Sequence, residues 1–77
     1  MKRTRYYYVR MPNLYITMMK EERTISFGHI TKAYWAYHQK RQQWLPVDGE
    51  AVKKAASETF TLSKDYVENW LKMVNEQ

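Results

Sequence analysis

Residues 26–44 read SFGHITKAYWAYHQKRQQW, and the period assigned to the apolar residues of this stretch decides the fold. Phe27, Ile30, Tyr34 and Tyr37 recur at intervals of three and four, a spacing that gathers side chains on one stripe of an α-helix. Ser26 stands before them as an N-cap, because a serine hydroxyl accepts from the unpaired N–H groups of a first turn. Lys32, Gln39, Lys40 and Gln43 fall on the opposite face. Pro46 stops the run, since proline lacks the N–H and its ring clashes with the preceding turn. On this period residues 26–45 form a first helix ending near Trp44.

Upstream, Arg5 to Met11 (RYYYVRM) alternates Tyr7, Val9 and Met11 with Tyr6, Tyr8 and Arg10, which is strand behaviour in a Tyr- and Val-rich segment. Leu14 to Met19 (LYITMM) fits either a second strand or a short helix, six residues being too few for periodicity to decide, and the charged Lys20-Glu21-Glu22-Arg23 follows as a turn. Downstream, Asp48 is a candidate cap for a helix over Glu50 to Phe60 with Val52, Ala55, Ala56 and Phe60 inward. Ser63 caps a last helix to about Asn75, in which Val67, Trp70, Leu71 and Val74 share a stripe and Asp65 complements the helix dipole. The expected fold class is therefore mainly α with a short N-terminal strand or hairpin, an α+β arrangement around three helices. Residues 1–77 form one domain: a basic Tyr-rich strand or arm over 1–25, the first helix over 26–45 and a helix pair over 48–76.

The 77 residues suffice for one core only, since chains of this size bury about 60% of their unfolded surface. Aromatic residues, 16% of the chain, supply much of the material for that core. With no cysteine there is neither a disulfide nor a thiolate metal site, which suits a reducing, cytoplasmic setting. No apolar run approaches the ~20 residues that cross a bilayer, so no membrane partner is expected. Catalysis requires a nucleophile with a base, a carboxylate pair or a metal cluster, and the sequence patterns none of these. His29 and His38 have no companion at ligand spacing, and two glycines cannot build a phosphate loop. The expectation is a protein that is not an enzyme and has no cofactor or metal.

The net charge of +5 is unevenly placed: residues 1–45 carry nine Lys/Arg against Glu21 and Glu22, whereas residues 46–77 carry four Lys against six acids. A basic front half favours a polyanionic partner. The string Ala56-(x)6-Ser63-Lys64-Asp65-Tyr66-Val67-(x)2-Trp70-Leu71-Lys72, preceded by Tyr8-Val9-Arg10-Met11-Pro12 and the helix from Phe27 to Gln43, resembles the winged helix-turn-helix DNA-binding domains of phage and plasmid replication or transcription-control proteins. The resemblance implies a non-enzymatic regulator of transcription or replication in a phage, plasmid or bacterial setting. Its partner would be double-stranded DNA, with a homodimer to read two half-sites.

On that resemblance Lys64, Asn69 and Lys72 are placed on a recognition helix. Because that helix also carries Asp65, Glu68 and Glu76, phosphate contacts are assigned to Lys2, Arg3, Arg5 and Arg10 on the arm and to Lys32, Lys40 and Arg41 on the first helix. Convergence of Arg3, Arg5, Arg10, Lys32 and Lys40 on one face with Lys64 and Lys72 favours DNA, and dispersal favours a protein partner. Tyr6, Tyr7 and Tyr8 among Arg3, Arg5 and Arg10 also match the ring and cation alternation of single-strand binders. Tyr6, Tyr8 and Trp35 carry an alternative function, a small interaction module that docks on a host protein through a Tyr-rich edge strand.

Overall fold

The computed structural model describes residues 1–76, so that Gln77 of the domain assigned to 1–77 lies outside them. Its elements are β1 (Lys2–Arg10), β2 (Ile16–Ser26), β3 (His29–His38), β4 (Gln43–Pro46), α1 (Gly49–Ala55), β5 (Glu58–Leu62) and α2 (Lys64–Asn75). The strands form one sheet in the order β4-β3-β2-β1-β5, with every neighbouring pair antiparallel. At 51% strand and 25% helix the chain is mainly β. The mainly α, three-helix expectation is thereby overturned, and with it the resemblance to winged helix-turn-helix proteins.

The first helix over 26–45 is replaced by a turn and two strands. Phe27 and Gly28 are the two loop residues of the β2–β3 hairpin, with φ of 50° and 78°, as a type I′ turn requires. Beyond them His29–His38 is strand β3. The stripe of Ile30, Tyr34 and Tyr37 is divided between sheet faces: Ile30 and Tyr34 share one, and Tyr37 points to the other with Trp35. Tyr34 and Tyr37 are both buried, because the sheet is covered on its two sides. Both alternate sets are then apolar, and the two-residue period that would mark the strand is masked.

The second correction concerns the helix pair. Asp48 caps α1 by accepting from Ala51 N at 3.2 Å, but the helix ends at Ala55 and Phe60 lies in β5. There it stacks on Tyr8 of β1 with ring centroids 4.6 Å apart. A strand thus separates the two helices, so no helix-turn-helix exists. Ser63 caps α2, its Oγ accepting from Tyr66 N at 3.1 Å. These caps form through contacts three residues apart and are therefore legible locally.

The helices lie on opposite faces. On the first, Tyr7, Val9, Met19 and Tyr34 form a buried cluster, against which Met11, Val47, Val52 and Ala56 pack. On the second, Met18, Tyr37 and Val67 are buried. Tyr37 there meets Trp44 and Trp70 edge-on at 5.2 and 5.4 Å, and its hydroxyl donates to Asn75 Oδ1 at 2.6 Å. Gly49 opens α1 because the Tyr34 ring occupies the space a Cβ would take. Gly49→Ala should therefore displace α1 or Tyr34 and lower stability by about 1–3 kcal/mol, read as a fall in the urea midpoint with an unchanged slope.

Candidate polyanion-binding face

Beyond the reach of the helices, β1, β2 and β3 continue as a three-stranded arm, and residues 1–5 and 25–33 are exposed. Antiparallel partners point to the same face, so the register assigns every charge of the arm to a side. Arg3 is opposite Arg23 and Arg23 is opposite Lys32, which sets three cations in one rung across three strands. Arg5 follows one rung inward, opposite Glu21. All four cations lie on the face that carries α1. The reverse face of the arm presents Thr4, Thr24, Thr31 and Ala33, together with Lys2, which is neutralised by Glu22 at 3.1 Å. Among the described residues Arg3, Arg5 and Lys32 form no salt bridge.

Where this face passes beneath α1 it holds Glu21, 1% exposed. Its carboxylate accepts from Tyr7 Oη at 3.2 Å and from Lys53 Nζ of α1 at 3.4 Å. Arg23 Nη2 approaches it at 3.9 Å. Tyr34 donates to Glu50 at 2.6 Å and accepts from Lys53 at 3.4 Å, so that Lys53 also rests over the Tyr7 and Tyr34 rings at 4.6 and 5.1 Å. Burial alone pushes the Glu21 carboxyl up. The Tyr34 and Tyr7 hydroxyls and the Lys53 ammonium outweigh it and hold the net value below the ordinary 4.5. Burial, reinforced by Glu50 and Glu21, raises the Tyr34 hydroxyl. Glu21 is thus engaged from above by Lys53, and Glu50 of α1 lines a shallow pocket together with Lys32.

The other residues singled out in the sequence go elsewhere. Arg10 is at the far end of β1, where its carbonyl accepts from Ser57. Lys40 and Arg41 sit in the β3–β4 turn, beyond the end of β3 at His38, which is about 20 Å along the strand from Lys32. Lys64 pairs with Glu68 at 3.8 Å at the start of α2, beside Arg5 at the base of the arm. Asn69 and Lys72 are exposed on α2, and no helix there is set as a reader. The convergence therefore fails for Arg10, Lys40, Lys64 and Lys72 and holds only for Arg3, Arg5 and Lys32; Arg23 joins them although the sequence reading left it in a charged turn.

Tyr6 and Tyr8 are not on an edge, since β2 and β5 both pair with that half of β1. Tyr6 leans on Trp44 at 5.9 Å, and Lys20 is held between Trp35 and Trp44 at 5.0 and 5.1 Å. These rings face away from Arg3 and Arg5, while Tyr7, on the cationic side, is buried. Rings and cations therefore do not form the shared platform on which single strands stack.

A cleft of about 620 Å³ between α2 and the sheet is lined by rings including Tyr8, Tyr37, Tyr66 and Trp70, with His38 and Lys40 as its basic groups. His29 and His38 occupy opposite ends of β3. Among the described residues no three His, Asp or Glu side chains are grouped to hold a metal, and no helix is long and apolar enough to cross a membrane. In comparisons with protein-family models, curated proteins and solved structures, nothing matches this chain.

The lowered Glu21 value means that its stabilising contribution is complete above about pH 4.5 and is lost as pH falls through the native value. Glu21→Gln should lower stability at neutral pH by roughly 1–3 kcal/mol and flatten the acid limb of stability against pH. Denaturant titrations at neutral and acid pH check both effects.

Proposed function

We propose that this chain is a non-catalytic module that binds double-stranded DNA along the cationic face of its sheet arm. The observation that carries the reading is the rung Arg3, Arg23 and Lys32 with Arg5 behind it, on one face only. Like charges set directly opposite on neighbouring strands are destabilising, and among the described residues of the rung only Arg23 has an acid within ion-pair distance, Glu21 at 3.9 Å, so an anion is the natural complement of Arg3 and Lys32. The contacts in this reading are with phosphates. Affinity is therefore expected to depend on salt more than on base sequence.

Fluorescence anisotropy with a labelled duplex tests this. Four phosphate contacts give a slope of log affinity against log salt of about −3.6. Arg3→Ala, Arg5→Ala and Lys32→Ala should each make that slope shallower by about 1, whereas Lys40→Ala, Arg41→Ala and Lys72→Ala should leave it unchanged. Equal slopes for the two groups, or no binding at about 50 mM salt, would refute the proposal.

A further inference from the structure

The tip of the arm ends in the loop Phe27-Gly28, both residues at positive φ. This turn favours Asn followed by Gly, because a Cβ at positive φ crowds the backbone. Phe27 occupies the first position and is 100% exposed, so its ring adds nothing to the core. Behind it Ile25 and Ile30 are directly opposed on the cationic face, 38% and 59% exposed. Met1 lies beside Ile25, whose N–H donates to its carbonyl at 2.9 Å. The next rung on the same face is Arg3, Arg23 and Lys32. An apolar point thus projects immediately ahead of a one-sided strip of positive charge.

We propose that Phe27, backed by Ile25 and Ile30, is a wedge that enters between base pairs of a duplex lying on the cationic face and kinks it. The proposal rests on the duplex-binding reading. Apolar side chains inserted at a base step unstack it and bend the helix, and the bend brings more backbone within reach of nearby cations. The occupant is decided by where the charges are. A bilayer approached tip first is met best by cations set around the tip, but the reverse face at that level offers Ser26, His29, threonines and Lys2 paired with Glu22, fewer cations than the other side. A strip that runs back from the tip along one side suits a duplex that crosses that side of the arm and meets the tip at its groove.

The test uses a DNA duplex with donor and acceptor dyes at its ends and 2-aminopurine within it, bound by the wild-type chain and by Phe27→Asn. Asparagine adopts positive φ readily, so this substitution preserves the hairpin, which a thermal melt verifies. The wild-type complex should show energy transfer corresponding to a bend of about 20–90° and a rise in 2-aminopurine fluorescence. Phe27→Asn should keep the slope of affinity against salt and lose both signals. Bending that persists in Phe27→Asn overturns the wedge and leaves the cationic face standing. A wild-type chain that does not bind duplex overturns both. Phosphatidylserine vesicles bound by wild type and released by Phe27→Asn, with DNA bound but unbent, would assign the tip to a membrane and overturn the wedge.

Discussion

Two helices of seven and twelve residues are about 10 and 18 Å long at 1.5 Å per residue, whereas the eleven residues of β2 extend about 36 Å. The helices cannot cover such a sheet from end to end. One end is therefore a three-layer core, with α1 on one face and α2 on the other, and the remainder of β1, β2 and β3 is left bare on both sides. The longest dimension of the molecule, 43 Å, reflects this overhang. The principal features follow from it: the buried rings lie under the helices, and Arg3, Arg5 and Lys32 are exposed because nothing packs on them.

Locally determined elements could be read from the sequence. Asp48 and Ser63 cap helices through side chains that reach three residues ahead, and the alternation in Arg5–Met11 coincides with β1 because Tyr7 and Val9 are buried while Tyr6 and Tyr8 are half-buried. The stretch from Phe27 to Trp44 depended on long-range structure. Covered on both faces, β3 has rings at Tyr34, Trp35 and Tyr37, and any such crowded run contains a subset at helical spacing. The available signal was the near mirror of Thr24-Ile25 and Ile30-Thr31 about Phe27-Gly28, a pattern natural to two strands paired across a two-residue loop. Phe27 hid it, since the first loop position is usually Asn or Gly.

The cationic face was half visible for a related reason. Arg3, Arg5 and Lys32 were chosen from charge asymmetry alone, which holds no information about sides. Arg23 was left in a presumed turn at Lys20–Arg23, whereas it lies in the interior of β2. Lys40 was grouped with Lys32 because eight residues of helix amount to about 12 Å. From Lys32 to His38 the chain instead runs about 20 Å as strand before the turn that holds Lys40, which places the two lysines at opposite ends of β3. Assigning the wrong period thus displaced charges as well as rings, and only the register of the hairpin restored the rung.

Stability of a domain this size is of order 4–12 kcal/mol, so local penalties are meaningful. The arm concentrates several: a rung of three like charges, and an aromatic residue held at positive φ, where conformational strain is of order 1–3 kcal/mol. Leu14 and Gln42 also have positive φ. Gln42 is polar and Leu14, 67% exposed, has no cationic rung behind it. At the arm the penalties coincide with uncompensated charge on one face and a ring that the fold does not bury. Relieving them would require only an asparagine in the loop and a neutral residue in the rung, neither of which disturbs the core beneath the helices. The partner proposed above, a stacked and phosphate-lined duplex, would supply both the countercharge and an apolar surface for the ring.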